Sequence, residues 1–130
     1  MADPVGGTIT GKMTLAASPG GVLFYGSAAA NRQLTWFDKE GKRLGSLGEP
    51  GSYSNYGLSS DGRRAVVSRG SATGSDLWMV EIGRGAWSRF TFRPGLNILP
   101  VWSPDGRTVV FRSGSPFNLY RKEASGAGTE

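Results

Sequence analysis

The sequence predicts an all-β protein, a partial β-propeller of about three four-stranded antiparallel blades, and three observations carry that reading. Composition comes first: 130 residues with 21 glycines, 7 prolines and 11% aromatics suit many short strands joined by tight turns. Second, no window of a dozen residues keeps an apolar 3.6-residue period free of glycine or proline, which argues against long helices. Third, the chain repeats. Ser18, Ser59 and Ser103 fall 41 and 44 residues apart. Gln33-Leu34-Thr35-Trp36, Asp76-Leu77-Trp78-Met79 and Asn118-Leu119-Tyr120-Arg121 recur at spacings of 43 and 42. A period in the low forties with about four short strands per unit is that of a propeller blade.

The clearest unit is Val101-Trp102-Ser103-Pro104-Asp105-Gly106-Arg107-Thr108-Val109-Val110-Phe111, read as strand, turn, strand. Pro104 presets φ for the first corner of a turn, Asp105 can bond its own backbone, and Gly106 supplies the positive φ that closes it. The phrase returns at Leu58-Ser59-Ser60-Asp61-Gly62-Arg63-Arg64-Ala65-Val66-Val67, and more weakly at Ala17-Ser18-Pro19-Gly20-Gly21-Val22-Leu23-Phe24. Asp61, Gly62, Asp105 and Gly106 are therefore assigned to structural turns.

In order, residues 1–12 hold one short strand around Thr8-Ile9-Thr10 that is able to complete a blade. Blade one spans 13–55, with strands at Met13–Ala17, Val22–Tyr25, Leu34–Asp38 and Arg43–Leu47. Blade two spans 56–97, with strands at Tyr56–Ser59, Ala65–Arg69, Leu77–Ile82 and Trp87–Phe92. Blade three, 98–123, offers Ile98–Trp102, Thr108–Arg112 and Asn118–Lys122 and lacks a fourth strand; 124–130 reads as a flexible tail. The N-terminal strand brings the total to twelve, so it could complete blade three in its own chain or in a neighbour. Three blades are too few for a closed ring of roughly four to eight. The expectation is a homodimer that forms one six-bladed propeller, with two-fold symmetry and a self-complementary seam.

Trp102-Ser103-Pro104-Asp105-Gly106-Arg107 resembles the WSPDG signature of TolB-like, WD40-like (PD40-type) propeller repeats. Arg89-Phe90-Thr91-Phe92-Arg93-Pro94-Gly95 is similar to the joint between consecutive blades in that group. The first unit departs with Pro19-Gly20-Gly21, and the second carries Ser60 where proline is usual. The resemblance implies an internal segment of a longer, roughly six-bladed bacterial propeller, of the kind found in sensor regions of serine/threonine kinases and beside prolyl-oligopeptidase-type peptidases. It also implies binding of protein, peptide or cell-envelope partners through the rim and channel mouth.

Chemistry is sparsely marked. The chain has no histidine and no cysteine, which removes the usual general base, thiolate metal sites, disulfides and every Ser-His or Cys-His pair. It has no Gly-rich phosphate loop followed by lysine, no kinase motif and no G-x-S-x-G elbow. No catalytic residue, metal ligand or cofactor is assigned. No signal peptide or membrane-spanning segment is visible in the sequence, and the compartment is left unassigned. The net charge of +5 is dispersed among acids, so it reads as a solvated surface rather than a nucleic-acid site. Trp36, Trp78, Trp87 and Trp102 read as packing between blades, and Arg63, Arg64, Arg69, Arg107 and Arg112 as solubilising strand-edge charges. The binding candidates are the joints entering each innermost strand: Tyr53, Asn55, Tyr56 and Asn97, beside Ser54 and Leu96, where a propeller opens its channel. A metal-dependent hydrolase in the channel and an anion- or nucleic-acid-binding surface are the alternative readings.

Overall fold

Strand alternation decides how this chain folds, because the strand Arg64–Ser71 at the middle of the stack buries consecutive side chains on opposite faces. A computed structural model describes residues 32–128 throughout and, ahead of them, the strands Gly7–Ile9, Met13–Ala17 and Leu23–Gly26. Twelve strands occur among the described residues: β1 Gly7–Ile9, β2 Met13–Ala17, β3 Leu23–Gly26, β4 Arg32–Phe37, β5 Arg43–Gly51, β6 Tyr53–Leu58, β7 Arg64–Ser71, β8 Gly74–Glu81, β9 Ala86–Arg89, β10 Asn97–Trp102, β11 Thr108–Ser113 and β12 Asn118–Glu123. They form three antiparallel sheets, ordered β1-β2-β3-β4-β5, β6-β7-β8-β9 and β10-β11-β12. Each sheet is a meander, as a blade requires; β2 lies against β6 and β6 against β10, and in the first sheet β1 takes the edge beyond β2.

The middle sheet shows the logic. On β7, Ala65 and Val67 join one apolar cluster with Leu34, Leu47, Tyr53, Val80 and Ile82, between the first and second sheets. Val66, between them in sequence, points the other way and joins Leu77, Met79, Phe90, Val109 and Phe111, between the second and third. Trp36 and Trp87 pack on the first cluster and Trp102 on the second. The Trp102 indole N–H also donates to the Gly57 carbonyl of the preceding blade at 3.0 Å.

Several boundaries differ from the sequence reading. The first sheet holds five strands, because β1 lies antiparallel to β2 with Thr8 opposite Thr14. The N-terminal strand thus takes the edge of β2 in its own chain and does not complete the third blade there. A three-residue strand carries too little pattern to choose between two open edges. Strand β5 runs on to Gly51 through Pro50, which an outermost strand tolerates because its outer edge needs no ladder donor. Strands β7 and β8 extend into the expected 70–75 loop, leaving a hairpin whose Ser71 pairs with Gly74. The predicted tail is anchored at its start: Ala124 is buried and its N–H donates to the Arg107 carbonyl at 2.7 Å. The weak Pro19-Gly20-Gly21 turn lies outside the described residues.

The β7–β8 hairpin fixes the entry to the third blade by a close backbone approach. The Ser75 N–H donates to the Gly95 carbonyl at 3.1 Å, and a Cβ on Gly74 would sit 2.3 Å from that same oxygen. Gly74→Ala should therefore lower the urea-unfolding free energy by about 1–3 kcal/mol, the usual cost of forced overpacking. Gly83→Ala, where an added Cβ meets nothing within 4 Å, should change it by less than about 0.5 kcal/mol.

Candidate functional site

One end of the blades is closed by repeated turns that use up their own polar groups. The Ser59 hydroxyl donates to Asp61 Oδ1 at 2.6 Å, the Arg63 N–H donates to the same oxygen at 2.9 Å, and the Arg64 N–H donates to Ser59 Oγ at 3.0 Å. One repeat later, Ser103, Asp105, Arg107 and Thr108 make the same three bonds at 2.5, 3.0 and 3.0 Å. Gly62 and Gly106 both sit at φ 70°, the left-handed conformation that glycine adopts without a Cβ penalty. Neighbouring turns are stitched together. The Ser60 hydroxyl donates to the Pro104 carbonyl at 3.2 Å, and the Arg64 guanidinium donates to the Gly106 carbonyl at 2.8 Å while lying over the Trp102 ring.

Both aspartates are held below the usual carboxylate range, first by the serine hydroxyl and then by the backbone N–H of Arg63 or Arg107. A carboxyl whose pKa falls on folding adds stability that is present above its unfolded value and is lost as pH drops through the folded one. An Asp61→Asn/Asp105→Asn variant should therefore lose less stability than the parent between about pH 5 and pH 2, measured by urea unfolding.

Shallow clefts open beside these turns, of about 530 and 590 Å³. Each mixes charges: Arg64, Asp105, Arg107 and Glu123 line one, and Asp61, Arg63, Glu81 and Arg84 line the other. Among the described residues, no group of three or more acidic side chains could hold a metal ion. Arg64 reaches the second cleft as well, so three arginines meet there beside Asp61 and Glu81, with Arg84 paired to Glu81 at 3.1 Å. Arg64, Arg69 and Arg112 each lie over a different ring, those of Trp102, Trp78 and Phe117. No helix among the described residues is long and apolar enough to cross a membrane.

The opposite end holds the entries to the innermost strands, where the four predicted binding residues separate into two pairs. Tyr53 is buried. Its hydroxyl donates to the Glu49 carbonyl at 2.5 Å, its ring centroid lies 5.7 Å from that of Trp87, and burial raises its pKa. Asn97, one repeat on, is wholly buried. Its amide donates to the Ser75 and Arg93 carbonyls at 3.0 and 2.9 Å, its side-chain oxygen accepts from Ser113 at 2.7 Å, and its backbone carbonyl accepts from Ser68 and Ser75. These two residues hold the blades together, and their polar groups are turned inward. Asn55 and Tyr56 remain on β6 with partial exposure, Tyr56 packed against the first cluster.

Each of the two inner strands carries a bulge at the same repeat position. The β6 register shifts between Tyr53 and Tyr56, the β10 register between Ile98 and Val101. Asn55 falls in the first bulge and Leu99 in the second. Leu99 has φ 56°, a strained value for a branched side chain, and stands exposed on an inner strand. Leu99 is not among the residues the sequence marks for binding. The available signal was Pro100, which cannot donate within a ladder and marks a bulge when it interrupts a strand pattern.

Comparison with known structures agrees with this architecture. The chain is similar to TolB from Acinetobacter baumannii at 16% identity and TM-score 0.72, covering 92% of this chain and 32% of that one. A putative TolB from Agrobacterium tumefaciens gives 21% identity and TM-score 0.71, covering 90% of this chain and 43% of that one. Hydrazine synthase from Kuenenia stuttgartiensis gives 22% identity and TM-score 0.67, covering 86% and 34%. No family model and no curated protein sequence matches the chain. The fold is that of a TolB-like β-propeller segment, and it spans roughly a third to two-fifths of the TolB structures it matches.

The hub at Asn97 yields a stability test. Asn97→Ala leaves the Ser75 and Arg93 carbonyls and the Ser113 hydroxyl without that partner, and each buried group left unpaired costs about 1–3 kcal/mol. Asn55→Ala, at the neighbouring bulge, should stay within about 0.5 kcal/mol of the parent. Urea unfolding of both variants measures the difference.

Proposed function

We propose that this chain is a non-catalytic propeller module that completes a six-bladed ring as a homodimer and binds a protein, peptide or small-molecule partner at the channel mouth. The observation that carries the proposal is the repeated bulge on the inner strands. Asn55 and Leu99 are set out of the hydrogen-bond ladder at the place where successive inner strands converge. Repeated around a ring, such bulges give a concave rim of alternating amide and apolar contacts. Such a rim suits a peptide, whose backbone offers donors and acceptors and whose side chains offer apolar area. Tyr56 supports the rim from behind, while Tyr53 and Asn97 fix the joints that aim it.

A rim needs a ring. Three sheets in one chain are half of six blades, and two chains related by a two-fold axis supply the remainder. Light scattering across a concentration series should give a discrete species of two 13.8-kDa chains. A monodisperse single chain at all concentrations would contradict the ring.

A further inference from the structure

The repeat makes one surface comparison possible that separates a blade face with a neighbour from one without. Leu34, Leu77 and Leu119 occupy the same place in successive blades, on the third strand of each four-strand unit. Leu34 and Leu77 are 0% exposed, whereas Leu119 is 77% exposed. The second strand agrees: Val66 of blade two is 0% exposed and its counterpart Val110 is 36% exposed. Val110 pairs across the ladder with Val101, 63% exposed, and Leu119 pairs with Arg112. A stripe of Val101, Val110 and Leu119 is thus built like a face that elsewhere in the molecule is fully covered.

What covers its counterpart is also visible. The Val66–Leu77 face of blade two receives Val109, Phe111 and Tyr120, the preceding-side residues of blade three. The complement of the exposed stripe is therefore the preceding side of another blade of this same repeat. Blade one carries such a side. On β4, Leu34 and Trp36 face blade two, so Thr35 and Phe37 alternate to the opposite side. Leu44 is the extra residue at the bulge opposite Phe37 and is 46% exposed.

We infer that the Val101–Val110–Leu119 face of blade three is a docking surface for a second copy of this chain, seated against the Thr35–Phe37–Leu44 side of that copy's first blade. This inference rests on the ring proposed above and specifies its seam. The contact is head to tail, and the two-fold axis generates it twice, which closes the assembly. The seam is less apolar than the internal one it imitates. Arg112 stands where blade two has Ser68, and Arg121 stands where it has Met79. Arg112 lies over the Phe117 ring at 3.6 Å from its centroid, which keeps its stem flat along the sheet. Association through this face is accordingly reversible over an ordinary protein concentration range.

The test uses two single variants on exposed positions, Leu119→Arg and Leu44→Arg, each checked for parental urea unfolding at high dilution. Wild type gives the two-chain mass, and each variant alone should give the one-chain mass. Mixed in equal amounts at about millimolar concentration, the order of the lost ring-closure advantage, they should recover a two-chain species with one intact seam. A Leu44→Arg variant that stays dimeric would overturn the seam and show blade three pairing with itself. A Leu119→Arg variant that stays dimeric, or a mixture that stays monomeric, would overturn it as well. A monomeric or polydisperse wild type would instead remove the ring reading on which the seam rests.

Discussion

Apolar contact between the faces of adjacent blades is the constraint on which the rest of this structure depends. Strand β7 carries Ala65 and Val67 into one core and Val66 into another, so no sheet has a core of its own. Each blade is held by its neighbours, and burial of a side chain such as Leu77 reports on the presence of the next blade. At about 25 cal/mol per Å² of apolar surface removed from water, a leucine covered in this way contributes roughly 1.5–3 kcal/mol. That explains why nearly every polar feature near a seam is committed to alignment. Arg64 reaches from one turn to the next, Trp102 bonds back to Gly57, and Ser68 bonds forward to Asn97.

The two ends of the blades follow different chemistry. At the turn end, Ser59, Asp61, Ser103 and Asp105 satisfy one another and the backbone, and the nearby clefts mix arginine with acid. At the entry end, the bulges on β6 and β10 release Asn55 and Leu99 from the ladder. The strained Leu99 is held there by the anchored Asn97 two residues before it and by the ladder that resumes at Val101. A bulge that leaves residues out of pairing on the innermost strand is how a rigid sheet presents side chains without a long loop.

Much of the architecture is legible in the sequence because it is local. Asp61-Gly62 and Asp105-Gly106 encode their turns locally, and the recurrence of Leu34, Leu77 and Leu119 at spacings of 43 and 42 residues sets the blade count. What was not legible depends on neighbours. Tyr53 and Asn97 look like adaptable contact residues, yet their burial follows from the bulge beside each and from the sheet packed over it. Arg64, Arg69 and Arg112 look like a basic edge, yet each settles on an aromatic ring: Arg64 on Trp102 of the next blade, Arg69 on Trp78 of the paired strand, and Arg112 on Phe117 just beyond its own strand. The partner of β1 is a choice between open edges that three residues cannot encode.

The central proposal is that a second copy of this chain covers the third blade's face. The most direct measurement is the urea midpoint of the wild-type chain over a 100-fold range of protein concentration. Folding coupled to pairing predicts a midpoint that rises with concentration, the apparent unfolding free energy per dimer growing by roughly 2.7 kcal/mol across that range. A midpoint independent of concentration would show that the face bearing Leu119 needs no second chain, and would contradict the account.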